Sequence, residues 1–124
     1  MVAADSSTIG AFFEGLPGKD VELLDAGLSA AQIVIAPVVL TEVLSDPALP
    51  DIYRDVILRL PILDLLPDYW SRAAAIRATI LSKGLRARLP DTLIAQSCID
   101  YDVALITRDG DFRHFAKHCG LKLA

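Results

Sequence analysis

The sequence predicts an α/β domain in which a mainly parallel sheet of four to five strands lies between two layers of helices. Short apolar runs alternate with helix-like segments along the whole chain, as in sheets whose strands pair in parallel through helical connections. The chain has 124 residues, of which 53% are apolar and 23% charged, so it is long enough for a proper core. We therefore expect residues 1–124 to form a single three-layer domain.

Two strands and four helices are expected in the first half of the chain. Residues 2–4 form a short apolar strand, and residues 33–35 are a β-branched run typical of a strand buried on both faces. Asp20 is a plausible N-cap for the second helix, and Pro37 suits the first turn of the third. The four helices are expected at about residues 6–15, 21–30, 37–46 and 51–60.

The second half is expected to add three helices and the remaining strands. Asp68 caps the longest helix and Gly84 ends it, and a basic connector follows at residues 85–89. The three helices are expected at about residues 69–83, 90–101 and 112–118. The strands are expected at residues 62–66 and 104–107, with a possible edge strand at 121–123.

Four widely separated carboxylates each lie where a predicted strand ends or a predicted helix begins. They are Asp5, Glu42, Asp91 and Asp109. In an open parallel sheet these ends meet at one edge, so the four acids can share a pocket. Such a cluster repels itself when ionised, and a hard divalent cation such as Mg²⁺ or Mn²⁺ relieves that repulsion.

Each acid also has a purely structural explanation. Asp5 can cap a helix, Glu42 can face solvent, and Asp91 can offset a helix dipole, an effect of about 0.3–1 kcal/mol. Asp109 and Asp111 can form an Asx turn around a glycine. What favours a joint role is their shared topological position, in a sequence without a glycine-rich phosphate loop or a nucleophile elbow.

Charge and composition limit the classes of partner and location. The net charge is −4, with a balance of −6 over residues 1–60 and +2 over residues 61–124. Masking four acids by metal would leave a nearly neutral surface, on which a basic rim can still hold phosphates. Candidate phosphate contacts are Lys83, Arg86, Arg88 and Arg108, for which a solvated linker is an equally good explanation.

No membrane span and no disulfide framework are expected. The uncharged stretch at residues 26–41 approaches the length of a span, but Gln32 and Pro37 interrupt it. Cys98 and Cys119 are too few for a framework and fit small core positions. A reduced, cytoplasmic location is therefore the natural expectation.

Four segments together resemble the PIN-domain ribonucleases, and most closely the VapC-type toxins of bacterial toxin–antitoxin pairs. They are Asp5-Ser6-Ser7 after the first strand, Thr41-Glu42 in the helix after the second, the LPDTLIA run at residues 89–95 and the LITRDGDF run at residues 105–112. The last two carry most of the resemblance, which covers nearly the whole chain.

The resemblance implies a PIN-like fold and metal-dependent cleavage of RNA phosphodiesters with Mg²⁺ or Mn²⁺. It assigns the metal site to Asp5, Glu42, Asp91 and Asp109, with Asp111 as an auxiliary acid and Ser6 and Thr107 as supporting hydroxyls. It further implies a homodimer and a cognate antitoxin that inserts a basic side chain into the acidic pocket.

Two other functions fit the same acids. A magnesium-dependent receiver-like domain also gathers acids at strand ends, although it would normally have paired acids after the first strand, where Asp5 stands alone. A PIN-like scaffold could instead bind RNA or protein without cleaving it. Both alternatives stay open on the sequence.

Overall fold

The computed structural model describes residues 1–124 as seven helices around a parallel three-stranded sheet. The strands are β1 (Val2–Ala4), β2 (Ile33–Val34) and β3 (Ala104–Ile106). The helices are α1 (Ser6–Phe13), α2 (Lys19–Ser29), α3 (Pro37–Leu44), α4 (Asp51–Leu58), α5 (Tyr69–Ser82), α6 (Leu89–Tyr101) and α7 (Phe112–Cys119).

The strand order is β2-β1-β3, so the first strand lies in the middle of the sheet. Val2 pairs with Ile33 on one side and with Ala104 on the other. The chain therefore leaves β1 towards one side of the sheet and later returns to the other. This reversal opens a crevice at the carboxyl ends of the strands, where ligands bind in sheets of this kind.

Both faces of the sheet are covered. Successive strand residues point to opposite faces, yet Ala3 and Ala4 are both buried, as are Leu105 and Ile106. Helices must therefore pack on each face, which confirms the α/β/α arrangement. The central strand has small side chains, which let the covering helices approach closely.

The sheet has fewer strands than the four to five that the sequence predicts. Residues 62–66 and 121–123 do lie beside it, but each contributes only an isolated parallel bridge, Ile62 with Ile35 and Leu123 with Leu105. Pro61 and Pro67 flank the first segment and lack the N–H group that a longer ladder would need.

The N-cap predicted for the second helix is wrong. Helix α2 begins at Lys19 with Gly18 in the N-cap position, at a φ of 155°, and no side chain caps it. Asp20 instead lies in the first turn, where its carboxylate accepts hydrogen bonds from Thr8 and Arg108. Asp20 therefore does not cap α2 but joins it to α1 and to the loop after β3.

None of the seven helices combines the length and the apolar character that crossing a membrane requires. The uncharged stretch at residues 26–41 is divided among the end of α2, strand β2 and the start of α3.

Burial in α4 gives a matched test of the packing. Ile57 is 1% exposed within the core, whereas its neighbour Leu58 is 57% exposed. We expect Ile57→Ala to lower the free energy of unfolding by about 2–5 kcal/mol, because the side chain leaves a cavity. Leu58→Ala, the control on the same helix, should change it by less than about 0.5 kcal/mol. Urea denaturation measures both, and equal losses would contradict this packing.

Candidate metal centre

Asp5 lies at the carboxyl end of β1 and fixes the geometry of the crevice. Its Oδ1 accepts hydrogen bonds from the backbone N–H of Thr8 (3.1 Å) and the hydroxyl of Ser7 (2.7 Å), so it is the N-cap of α1. Its Oδ2 accepts from the hydroxyl of Thr107, just beyond β3, at 2.7 Å. The same carboxylate therefore starts a helix and joins the ends of two neighbouring strands.

The loop after β3 brings three acids together with the start of α6. The Thr107 hydroxyl accepts a hydrogen bond from the backbone N–H of Asp109 (3.0 Å), and Asp109 Oδ1 accepts one from the backbone N–H of Asp111 (2.9 Å). Asp91 reaches the same place from the first turn of α6. One carboxylate oxygen from each of Asp91, Asp109 and Asp111 lies within 4.8 Å of the other two.

Glu42 faces the crevice from α3. It is half-buried, and its Oε1 accepts a hydrogen bond from the hydroxyl of Ser6 at 3.2 Å, next to Asp5. The solvent-facing explanation for Glu42 therefore does not hold. The structure places all five predicted acids, with Ser6 and Thr107, around one end of the sheet.

The acids act on one another electrostatically. Burial, and then the charge of Asp109, raises the pKa of Asp91 to about 6, with smaller contributions from Asp5 and Glu42 and an opposing one from Arg88. Burial also raises the pKa of Asp5, against the effect of its three hydrogen bonds, and raises the pKa of Glu42. A cluster with this behaviour is a candidate functional site.

The donor set fits a hard divalent cation. Oδ2 of Asp91 is buried and has no hydrogen-bond partner. A buried carboxylate oxygen without a partner is unfavourable unless a cation or a proton meets it. The available ligands are all oxygens, which suit Mg²⁺ and Mn²⁺ better than softer metals.

A family model described as PIN domain matches residues 2–118 of the chain. The chain belongs to the PIN domain family. The match spans every acid of the cluster and both supporting hydroxyls. It also removes the receiver-like alternative, because the matched fold accounts for the acids. No curated protein sequence matches this one.

Solved structures with the same fold cover nearly the whole PIN domain. VapBC2 from Rickettsia felis bound to a DNA fragment from their promoter gives a TM-score of 0.74 at 21% identity, over 100% of this chain and 98% of that chain. FitAB bound to an IR36 DNA fragment gives 0.75 at 16%, over 100% and 94%. FitAcB from Neisseria gonorrhoeae gives 0.70 at 16%, over 99% and 96%. The predicted PIN-like fold and the likeness to VapC-type proteins are confirmed.

The four basic residues predicted to contact phosphate differ in how close they lie to the acids. Arg86 is exposed, and its Nε lies 3.9 Å from Oδ2 of Asp111. Arg88 is exposed and close enough to Asp91 to lower the pKa of that group.

The other two candidates interact with residues outside the acidic cluster. Lys83 is exposed near α7, where its charge acts on groups of that helix rather than on the acids. Arg108 is engaged in hydrogen bonds to Asp20.

Two residues of the surrounding network, Asp20 and Thr8, were missed as site residues in the sequence. Thr8 is fully buried, and its hydroxyl donates to Oδ2 of Asp20 at 3.0 Å. Asp20 in turn pairs with Arg108, which lies 88 positions away in the chain. No spacing rule links residues so far apart in the sequence, so no sequence signal identified this contact.

The raised pKa of Asp91 predicts how stability depends on pH without metal. Because the folded pKa (about 6) exceeds the ordinary 3.8, the folded protein holds this proton more tightly than the unfolded chain does. Its contribution to stability is thus present below about pH 4 and is lost as the pH rises through 6. Asp91 is only half-buried, so water screens part of this effect, and Asp91→Asn should raise the free energy of unfolding by about 1–2 kcal/mol at pH 7.5 and much less at pH 4.5.

Urea denaturation in a chelator at both pH values measures this difference. Asp102→Asn, which removes an exposed carboxylate outside the cluster, is the matched control. An equal effect of Asp91→Asn at the two pH values would contradict the electrostatic account.

Proposed function

We propose that this PIN domain is a metal-dependent endoribonuclease and the toxin of a type II toxin–antitoxin pair. PIN domains are generally nucleases, which supports a hydrolase acting on phosphodiester bonds. Two observations carry the proposal together: the convergence of Asp91, Asp109 and Asp111, and the buried Oδ2 of Asp91, which has no hydrogen-bond partner. The fold alone would fit a binding scaffold equally well, and the acidic cluster is what favours the nuclease.

Asp91, Asp109 and Asp111 would hold the ion, with Glu42 and Asp5 beside them. A carboxylate has about four acceptor positions, and Asp5 uses three of them for Thr8, Ser7 and Thr107. One position remains, which suffices for a metal bond. Glu42 keeps its Oε2 free, since the hydroxyl of Ser6 binds Oε1. Bound Mg²⁺ or Mn²⁺ supplies an activated water and neutralises charge on the scissile phosphate.

The basic residues before α6 would hold the RNA backbone. Lys83, Arg86 and Arg88 are exposed, and the two arginines lie on the side of the crevice formed by Asp91 and Asp111. Positive charge next to the acids would let a phosphate approach a cluster that otherwise repels it. Arg108 is the weakest of the four candidates, because its guanidinium already has three acceptors.

A groove between α1, α3 and α4 would accept a segment of the antitoxin. It has a volume of about 410 Å³ and reaches Ser6 and Glu42 at the crevice. Phe13 and Tyr53 stack in its wall, with ring centroids 4.3 Å apart. Glu14, Glu42 and Asp46 also line it, so an apolar peptide with basic side chains is the chemistry that it fits.

A homodimer and a cytoplasmic location complete the proposal. Helices α5 and α6 expose an apolar patch around a groove of about 320 Å³, in which Trp70 is 65%, Leu81 48% and Leu89 56% exposed. A second copy of the chain would cover such a patch. Both cysteines are free, in keeping with a reducing compartment.

Cleavage of a mixed RNA pool tests the enzyme. We expect the wild-type protein to cut RNA with Mg²⁺ or Mn²⁺ and not in a chelator. Asp91→Asn and Asp5→Asn should each lower the rate by at least about 100-fold, because each removes a charge that the ion needs.

Asp102→Asn is the control, since this acid lies on the surface and pairs with Lys122. Equal cutting by the wild-type and Asp91→Asn proteins would indicate a contaminating nuclease. RNA binding without cutting under both metals would favour the non-cleaving scaffold.

Charge removal on the basic rim tests the RNA contacts. Arg86→Ala and Arg88→Ala should each raise the KM for RNA several-fold, with little change in kcat. Each should also lower the slope of the logarithm of the RNA binding constant against the logarithm of salt concentration by about one. Arg59→Ala, on exposed α4-end surface, is the control for loss of one positive charge. A fall in kcat at unchanged KM would assign these arginines to another role.

A further inference from the structure

We propose that Asp20 and Arg108 form a positioning pair that holds the Asp109 loop in the geometry required for metal binding. The inference rests on the metal site of the proposed function and gives that site two residues outside the acidic cluster. It assigns Arg108 a role other than RNA contact. The pair acts through Thr107 and Asp109 and need not touch substrate.

The pair itself is well defined. Nε of Arg108 donates to Oδ2 of Asp20 at 2.8 Å, and Nη2 donates to Oδ1 at 3.0 Å, so the guanidinium meets the carboxylate with two parallel bonds. Nη2 also donates to the carbonyl oxygen of Pro17 at 3.1 Å. The side chain of Asp20 is 13% exposed and that of Arg108 32%. The hydrogen bonds from Arg108 lower the pKa of Asp20 to about 2, so the pair stays ionised.

The pair closes a ring of contacts that starts and ends at Asp5. Arg108 follows Thr107, whose hydroxyl donates to Oδ2 of Asp5. Asp20 accepts from the hydroxyl of Thr8, whose backbone N–H donates to Oδ1 of Asp5. We call Asp5, Thr8, Asp20, Thr107 and Arg108 the Asp5 ring. It links the end of β1, the first turns of α1 and α2, and the loop after β3.

The ring restrains the loop that carries Asp109. Thr107 and Asp109 flank Arg108, so anchoring the guanidinium fixes the backbone between the Asp5 contact and the metal-binding acids. Without this anchor, the backbone at Asp109 would lose one of the contacts that hold it beside Asp91 and Asp111. Residues that orient ligands in this way typically contribute about 10–100-fold to metal affinity.

Gly18 shows how closely the corner is packed. A Cβ at this position would lie 2.5 Å from Oδ1 of Asp20 and 2.7 Å from Nη2 of Arg108. The absence of a side chain therefore leaves the room in which the two groups meet. The pair also engages the guanidinium with Asp20 and the carbonyl of Pro17, so these contacts compete with any pairing of Arg108 to the cluster acids.

Amide hydrogen exchange of the metal-free protein tests the positioning directly. The N–H groups of Asp109 and Asp111 donate to side-chain oxygens within the loop. Asp20→Asn and Arg108→Lys should speed the exchange of both amides by about tenfold, because each breaks the parallel bonds. Exchange within α5 should not change. Unchanged exchange of the Asp109 and Asp111 amides would overturn the proposal, whether or not the protein cleaves RNA.

The affinity for Mn²⁺, measured by isothermal titration calorimetry, is the second readout. Both variants should bind Mn²⁺ about tenfold more weakly, measured at a temperature well below the melting temperature of each variant. Combining Asp20→Asn with Arg108→Lys should add little to either single effect, because the two act through one contact. Affinities within twofold of the wild-type value would overturn the proposal.

Arg108→Lys also separates positioning from RNA contact. Lysine keeps the charge that a phosphate would meet but loses the planar fork that pairs with a carboxylate. A phosphate contact predicts near-normal Mn²⁺ affinity and exchange in this variant, with a raised KM for RNA only in Arg108→Ala. That result would overturn the proposal and leave the proposed function standing.

A second ion pair in the chain serves as the matched control. Arg72 binds both oxygens of Asp100 and also donates to the carbonyl of Pro67, so it repeats the pattern of Arg108 between α5 and α6. Arg72→Lys and Asp100→Asn should leave Mn²⁺ affinity and loop exchange at wild-type values. If these controls also lose Mn²⁺ binding, the weaker binding of the Asp20 and Arg108 variants is due to general destabilisation, and the positioning role is overturned.

Discussion

Repulsion between carboxylates at the carboxyl edge of the sheet is the constraint around which the rest of this structure is arranged. The strand order β2-β1-β3 brings the ends of β1 and β3 side by side, and the acids that follow them cannot avoid one another. Burial adds to the unfavourable energy, because a desolvated carboxylate resists ionisation. Burial, and after it the charge of Asp109, raises the pKa of Asp91. The fold therefore keeps an arrangement that does not serve its own stability.

At Asp5, capping a helix is compatible with the proposed role in a metal site. The three donors that bind its carboxylate also orient it, and they leave one acceptor position unused. A ligand that is already fixed loses little conformational freedom when an ion arrives. The hydrogen bonds that make Asp5 a helix cap are thus the same ones that would hold it in place as a metal ligand.

The predictable parts of this chain were those with a local or periodic signal. The apolar run at Val2–Ala4 and the acid that follows it suffice to place Asp5 at the edge of a parallel sheet. The extent of the outer strands was not predictable, because pairing at Ile62 and Leu123 depends on neighbours that the local sequence does not specify. The contact of Asp20 with Arg108 joins two distant segments, so its carboxylate looked like an ordinary cap.

Three acids outside the cluster form close ion pairs. Asp20, Asp100 and Asp102 each have a basic partner at hydrogen-bond distance. Within the cluster the only ion pair joins Asp111 to Arg86, at 3.9 Å. Oδ2 of Asp91 has no partner of its own in the protein. Since unpaired buried charge destabilises a fold, the proposed divalent cation would supply the neutralisation that the protein's own side chains do not.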